Sequence, residues 1–372
     1  MAETPLEGHP DKLADLIADA LLDEFIRKDP YSRVSLEIMV HSGLTIVAGH
    51  VSTDGYVDIH TNVRKTIKEV GYNRPEYGFD ADSSAVLTSI EEQSPDIATG
   101  IFSDGAGDTA TVVGFACDET PSYMPLPISL SNLIAKRLSE LRKSGAATFL
   151  RPDGKVLIAV AYENEVPLFV KDIVIFCQHE PDADQKMLFE FIYESVIKQS
   201  VPASLLKDTK VLVNPSGRFV LGGPAADVGQ TGRKAVSDAY GDVAYSGGSS
   251  FSGKDPTKTD RTASYMARMM AKHVVASNLA KRCLIKMAYA FGVSYAVAFE
   301  VETFGTESVP TELISKTLLE IFPTSPKGMI EAMSLRRPIY KSTACYGHFG
   351  KEGLPWEELK HLEAFLELQK SV

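Results

Sequence analysis

No apolar run in the 372-residue sequence approaches the length needed to cross a bilayer. The first residues, MAETPLEGHPDK, lack a basic segment followed by an apolar one, so a cytoplasmic protein without a membrane partner is expected. Cysteine is scarce: Cys117, Cys177, Cys283 and Cys345 are far apart and form no C-x-x-C pair, which argues against a zinc site and for reduced core thiols. Positive charge is in deficit, 38 Lys and Arg against 49 Asp and Glu, for a net charge of −11. A general nucleic-acid binder needs a net basic surface, so that class is set aside, and any anionic ligand must be held by a local basic cluster.

Against this acidic background the stretch from Gly222 to Arg261 stands out, with lysine and arginine interleaved among glycines and aspartates. Glycine lets backbone N–H groups approach a ligand closely, while Arg233, Lys234, Lys254 and Lys258 supply positive charge. That combination suits a polyphosphate, and Asp260 among the cations suits an oxygen-preferring ion such as Mg²⁺. Residues 248–254, GSSFSGK, match the G-x-x-x-x-G-K pattern, but Asp255-Pro256 replaces the Ser/Thr and the start of the helix. Proline steers Asp255 away from helical geometry, which demotes a P-loop NTPase and leaves a polyphosphate cradle of a different make.

Hydrophobic periodicity predicts an amphipathic helix over 11–28, with acids opposite the apolar stripe. A strand hairpin over 34–40 and 44–51 and a helix over 57–72 follow. After a turn-rich loop (94–108) the order returns: strand 109–118, helix 128–145, a strand pair ending near 178, and helix 183–200. A third round runs from helix 261–282 through two strands to ELISKTLLEIF. The expectation is α/β of the α+β type: three similar domains, each a mainly antiparallel sheet covered by helices, in pseudo-threefold arrangement. A sheet face without helices would dock on another subunit.

Several side chains are candidates for chemistry. His9-Pro10-Asp11-Lys12 opens the first helix, where the dipole attracts anions, although a solvated helix start accounts for it equally. Glu37, within the apolar strand VSLEIMV, is either solvent-facing or an ion ligand. Asp108 ends a loop, Asp153 and Lys155 in RPDGK read first as a β-turn, and Gln93 is uninformative alone.

The motifs EGHPDK, QSPDI, GAGD, RPDGK, NPSGRFVLGGPAADVGQTGRK, FSGKDPTKTDR, VETFGTE and YGHFG occur in this order over nearly the whole chain, which resembles the S-adenosylmethionine synthetase family. The resemblance implies domains at 1–97, 104–221 and 222–368, and a homodimer or dimer of dimers with active sites between subunits. It implies ATP and methionine as substrates, with Mg²⁺, two per site, and K⁺ as cofactors. By similarity His9 donates near the bridging oxygen, Asp11 and Asp260 hold Mg²⁺, and Glu37 holds K⁺. Lys12, Arg233, Lys234 and Lys254 grip the triphosphate. Asp153, Lys155, Arg218, Phe219 and Ser250 belong with ATP, and Asp227 lies at the ribose or methionine end. Gln93, Asp108 and Lys258 line the methionine side.

Three departures from the family pattern fall on that side. His50 stands where a glutamate is usual, the segment GIFSDGAGDTA is shorter than the usual gating loop and carries Thr109 in place of glutamine, and AFGVSYAV places Phe291 where a smaller aliphatic is common. They raise the alternative of a related thioether acceptor; a phosphohydrolase and a non-catalytic homologue are further alternatives.

Overall fold

The computed structural model describes residues 1–92, 105–247 and 250–370. Gln93, most of the loop expected over 94–108, and Gly248 and Ser249 of the GSSFSGK segment lie outside the described residues.

In chain order the elements begin with β1 (Ala2–Pro5), α1 (Pro10–Lys28), β2 (Arg33–His41), β3 (Leu44–Ser52), α2 (Ile59–Val70) and β4 (Ala85–Glu91). They continue with β5 (Ala110–Cys117), α3 (Leu126–Lys143), β6 (Leu150–Glu163), β7 (Val166–His179), α4 (Gln185–Ile192), β8 (Lys210–Val213) and β9 (Gly229–Gln230). Last come α5 (Ala235–Asp238), α6 (Thr259–Ala276), β10 (Arg282–Tyr289), β11 (Ala298–Glu302), α7 (Thr311–Ile321), α8 (Pro326–Ala332) and α9 (Leu362–Lys370). Local chemistry sets many boundaries. Pro10 occupies the first turn of α1, and Gly71, at φ 111°, ends α2 in the left-handed region. Asn164 and Glu165, both at positive φ, make the tight turn between β6 and β7. The helix expected to reach residue 282 stops at Ala276, because Asn278 turns left-handed (φ 58°) and Leu279 N–H returns to the Val274 carbonyl.

Among the described residues the strands form three mainly antiparallel sheets, ordered β4-β3-β2-β9, β1-β6-β7-β8 and β11-β10-β5; the first two are mixed through the parallel pairs β3–β4 and β7–β8, and the third is antiparallel throughout. The α/β expectation holds, but the simple round of helix, strand, strand, helix does not describe the sheets. Each takes a strand from a distant part of the chain. β1 pairs with β6, with Ala2 opposite Ile158; β5 pairs with β10, with Cys117 opposite Arg282; and β9 pairs with β2, with Gln230 opposite Met39. Periodicity reveals a strand but not its hydrogen-bonding neighbour, so this exchange was invisible in the sequence, as was the third strand of the first unit, β4.

Two apolar cores fill the layers. In one, Leu130, Ile134 and Leu138 of α3 and Leu188 and Ile192 of α4 pack with Val156, Ile158, Ile173 and Ile175 of β6 and β7. In the other, α1 and α6 contribute Leu13, Ile17, Leu21, Met266 and Met270, and β2 and β10 contribute Leu36, Ile38, Cys283 and Ile285. Burying each such side chain contributes roughly 1.5–3 kcal/mol.

The expected picture of α1, an apolar stripe with acids facing away, is corrected. Asp11, Asp15, Asp19 and Asp23 are all buried, because chain segments from 230–261 and 340–341 lie over that face and hydrogen-bond to it. The RPDGK segment is likewise no turn: Arg151 to Lys155 run within β6, and Gly154 pairs with Cys177.

Candidate active site

A spacing of four residues stacks Asp11, Asp15, Asp19 and Asp23 along one face of α1. Each carboxylate fixes a different part of the later chain. Asp11 accepts from Gln230 N–H at 3.0 Å, Asp15 from Gly232 N–H at 2.9 Å, Asp19 from Gly253 N–H at 2.9 Å, and Asp23 from Tyr340 and Lys341 N–H at 2.9 and 3.0 Å. The glycine-rich stretch is therefore laid along the helix like a strap. Of these four only Asp11 was anticipated as a site residue, although the repeat is visible in DKLADLIADALLDEF.

At the N-terminal end of α1, His9 caps the helix, its Nδ1 accepting Asp11 N–H at 3.2 Å. Burial and the neighbouring positive charge of Lys234 lower its pKa to about 4. His9 is thus neutral near pH 7, and since Nδ1 is the acceptor, Nε2 carries the proton and remains a donor. Asp11 receives Lys234 Nζ at 2.6 Å and lies 3.6 Å from the exposed Arg233 guanidinium. Burial pushes the Asp11 carboxyl up, but hydrogen bonds from Lys234 and Gln230 outweigh it and hold it below the usual carboxylate range. Lys12 does not belong to this cationic surface. It is fully buried, with Nζ 2.8 Å from Asp15 and 2.5 Å from Asp238, whose charges overcome desolvation and hold its pKa high. In place of the triphosphate expected by similarity, its partners in this structure are two internal carboxylates, both of them buried.

Three segments converge beside His9. A Cβ on Gly8 would lie 2.4 Å from Pro152, one on Gly222 2.9 Å from the Phe219 ring, and one on Gly223 2.1 Å from the Tyr72 hydroxyl. Tyr72 itself donates to the Gly8 carbonyl, tying these loops together. Asp153 accepts from Gly154 and Gly223 N–H, each at 2.7 Å, and burial lifts its pKa to about 6 against those bonds. Lys155 projects from β6 toward Glu3 (3.3 Å) and adds to the positive field on His9. Phe219 N–H donates to His179, while Arg218 and Asp227 are exposed. Ser250 packs on Gly232, whose Cβ would come within 2.5 Å.

A second set lies two turns along α1. Residues 253–255 run beside β2: Leu36 N–H donates to the Gly253 carbonyl at 3.0 Å, Asp255 N–H to the Val34 carbonyl at 3.0 Å, and Val34 N–H to the Asp255 carboxylate at 2.7 Å. Lys254 reaches Asp260 at 2.8 Å, and Lys258 lies 3.8 Å from Asp255. Glu37 is exposed on β2; local desolvation raises its pKa and the charge of Lys254 opposes this. Asp11 and Asp19 are eight residues apart, so this set sits about 12 Å along the helix from the first. The chain brings each set together but does not merge the two.

The residues expected on the sulfur side are dispersed. His50 is exposed on β3, opposite Ser35 and Glu91 in register. Ala106 bridges Phe291, and Gly292 N–H donates to the Ala106 carbonyl at 2.8 Å, which puts exposed Asp108 near exposed Phe291. Asp108 itself accepts from Thr109 N–H at 2.7 Å.

Among the described residues no three His, Cys, Asp or Glu side chains group as a ready-made metal cage. Asp11 and Asp260 instead offer isolated oxygen donors, each already facing a lysine. Such donors fit an ion that takes one or two carboxylates and fills its shell with phosphate oxygens and water.

Within this mixed α/β fold the glycine strap sets Lys234 beside Asp11 and a neutral His9, and Lys254 beside Asp260. The models of S-adenosylmethionine synthetase match almost end to end: its N-terminal domain over residues 1–95, its central domain over 103–219 and its C-terminal domain over 221–358. The chain belongs to the S-adenosylmethionine synthetase family. It is 58% identical over 369 residues to the S-adenosylmethionine synthase of Aquifex aeolicus, covering 99% of this chain and 98% of that one. It is 50% identical over 380 residues to the S-adenosylmethionine synthase of Thermus thermophilus, covering 98% and 96%. That of Desulforudis audaxviator is 48% identical over 379 residues, covering 97% and 96%.

Proposed function

We propose that the protein is a methionine adenosyltransferase. The methionine sulfur attacks C5′ of ATP in line, the C5′–O bond breaks, and tripolyphosphate leaves and is then hydrolysed by one water to phosphate and pyrophosphate. A thioether has no proton to lose, so the first step needs alignment and charge neutralisation rather than a general base. The observation that carries this reading is the pairing of Lys234 with Asp11 of α1 and of Lys254 with Asp260 at the start of α6, which sets two strap lysines against oxygen donors of the kind a metal takes. The full-length relatives named S-adenosylmethionine synthase support it, and they lend no support to a hydrolase, a non-catalytic homologue or another thioether acceptor.

In this reading Arg233, Lys234 and Lys254 hold the triphosphate, and His9 donates from Nε2 toward the oxygen that becomes the leaving group. Asp153, Lys155, Arg218, Phe219, Asp227 and Ser250 hold the nucleoside end. Lys258, Asp108, His50, Gln93 and Phe291 belong to the methionine side. Mg²⁺, two per site, would be held by Asp11 and Asp260, and K⁺ by Glu37; when bound, the metals neutralise charge on the departing phosphates. We divide the chain at 1–97, 104–221 and 222–368, which the family-model limits support. A cytoplasmic location is supported by four free, buried cysteines. We also propose a homodimer or dimer of dimers with shared sites. Its support is the separation of the two cationic sets by about 12 Å along α1, which leaves a second copy to complete each site.

The test is product analysis by mass after incubation with ATP, Mg²⁺ and K⁺, with and without methionine. S-adenosylmethionine, phosphate and pyrophosphate are expected only when methionine is present. ATP cleavage at the same rate without methionine, or preference for a thioether lacking the amino group, would overturn the reading.

A further inference from the structure

The fully buried ion pair of Asp19 and Arg261 has no place in the reaction as described. Arg261 meets Asp19 through two parallel bonds, Nη1 to Oδ1 and Nη2 to Oδ2, both 2.8 Å, and neither side chain is exposed. A buried pair of this kind is weak evidence for stability, since desolvating both charges offsets most of their attraction. What this pair determines is the path of the chain on both sides of Lys254. Asp19 accepts from Gly253 N–H at 2.9 Å and from Ser252 Oγ at 3.0 Å, just before the lysine. Arg261 Nη1 donates to the carbonyl of Lys254 itself at 3.1 Å. Arg261 also follows Asp260 directly in the chain, so the same guanidinium fixes the start of α6, where the carboxylate partner of Lys254 resides. Tyr265 hydroxyl accepts from Nε (2.9 Å) and Thr343 Oγ1 from Nη2 (3.2 Å), and the Tyr340 ring lies 4.3 Å from the guanidinium.

We infer that Asp19 and Arg261 are positioning residues for the reaction: a buried two-point clamp that sets where the Lys254 ammonium and the Asp260 carboxylate stand. The inference rests on the proposed role of Lys254. The clamp touches no substrate, and it acts through the peptide groups that flank the lysine. Its precision matters because a misplacement of about 1 Å in a phosphate-holding group can cost on the order of 100-fold in rate.

Asp23 provides a graded comparison. One turn further along the same helix it is also buried, and it accepts two backbone N–H groups, of Tyr340 and Lys341, so that it meets the clamp through the Tyr340 ring against Arg261 rather than through the peptide groups around Lys254. The experiment measures kcat, KM for ATP and Tm for D19N, R261K, D23N and K254A, and for the double variant D19N/K254A. D19N and R261K are expected to lower kcat by about 10- to 100-fold with KM for ATP changed far less, and D23N to lower Tm while kcat stays within about twofold. In the K254A background D19N should lower kcat little further, since its effect passes through the lysine. R261K keeps the charge and loses the fork, so it reports even if D19N fails to fold. Parental kcat in D19N or R261K with K254A impaired overturns the clamp alone. Parental kcat in K254A overturns the role of the lysine and with it this inference. A D19N loss that is undiminished in the K254A background places the effect elsewhere and likewise overturns the clamp.

Discussion

Lys234 donates to Asp11 across 223 residues of sequence, at 2.6 Å, and so fastens the glycine strap to the first turn of α1. The carboxylate is ionised because its donors outweigh the cost of its burial. Replacing Asp11 by Asn keeps the shape and removes the charge. The expected outcome is a fall in kcat on the order of 100-fold, against a stability loss below about 2 kcal/mol, read by steady-state kinetics and urea titration.

Lys12 and Lys254 differ in burial and in the number of carboxylates they meet. Lys12 is fully buried between Asp15 and Asp238, so K12M leaves two internal carboxylates facing each other without their cation. It should cost about 3–5 kcal/mol of stability. K254M, at a side chain that is partly exposed with one carboxylate partner, should leave Tm within a few degrees while turnover collapses. Thermal melts and activity on the same samples test both.

Gly253 has φ 81°, and a Cβ there would stand 2.1 Å from the Leu36 carbonyl oxygen. G253A must either push the strap off β2 or strain the backbone, at a cost of about 1–3 kcal/mol. Because Lys254 is the next residue, kcat should fall as well. G43A is the comparison: Gly43 also has positive φ (72°) but open space around it, so only stability should change.

Acid should weaken the fold through its buried histidines. Desolvation lowers His273 to about 4, while its Nδ1 donates to the Met269 carbonyl and its Nε2 accepts His361 N–H. Lys272, His361, Phe322 and Phe365 are the groups around it, and the charged neighbours also disfavour the imidazolium. A histidine whose pKa is about 6.5 when unfolded and about 4 when folded binds more protons unfolded across that interval. Stability should therefore be complete above about pH 6.5 and decline as pH falls toward 4, by on the order of 3 kcal/mol from this residue. Urea titrations from about pH 7 to 4.5 should show a shallower pH slope for H273Q than for the parent. His9 titrates in the same direction.

Much of this was legible in residue order. The periods of 3.6 and 2 marked α1, α2, β2, β3, β6 and β7 because each has a side facing an apolar layer. The motifs singled out His9, Asp11, Lys234, Lys254 and Asp260, which the fold brings into two local sets. What sequence could not supply was which distant group answers each charge. Asp15 and Asp19 looked like a solvated helix face, since nothing local announces that Gly232, Gly253 and Arg261 will cover them. RPDGK looked like a turn because its proline and glycine suit one, yet pairing with β7 and packing on Gly8 hold it extended. Lys12 is a further case: nothing near it in the sequence announces Asp238 as its partner.

The lending of strands among the sheets runs in a closed circle. The first third of the chain gives β1 to the second, the second gives β5 to the last, and the last gives β9 to the first. An excised third would thus lack a strand it needs and carry one it cannot use, with a bare sheet edge open to aggregation. The three thirds should melt together, and the glycine strap shares in that cooperativity because its own strand β9 closes the ring.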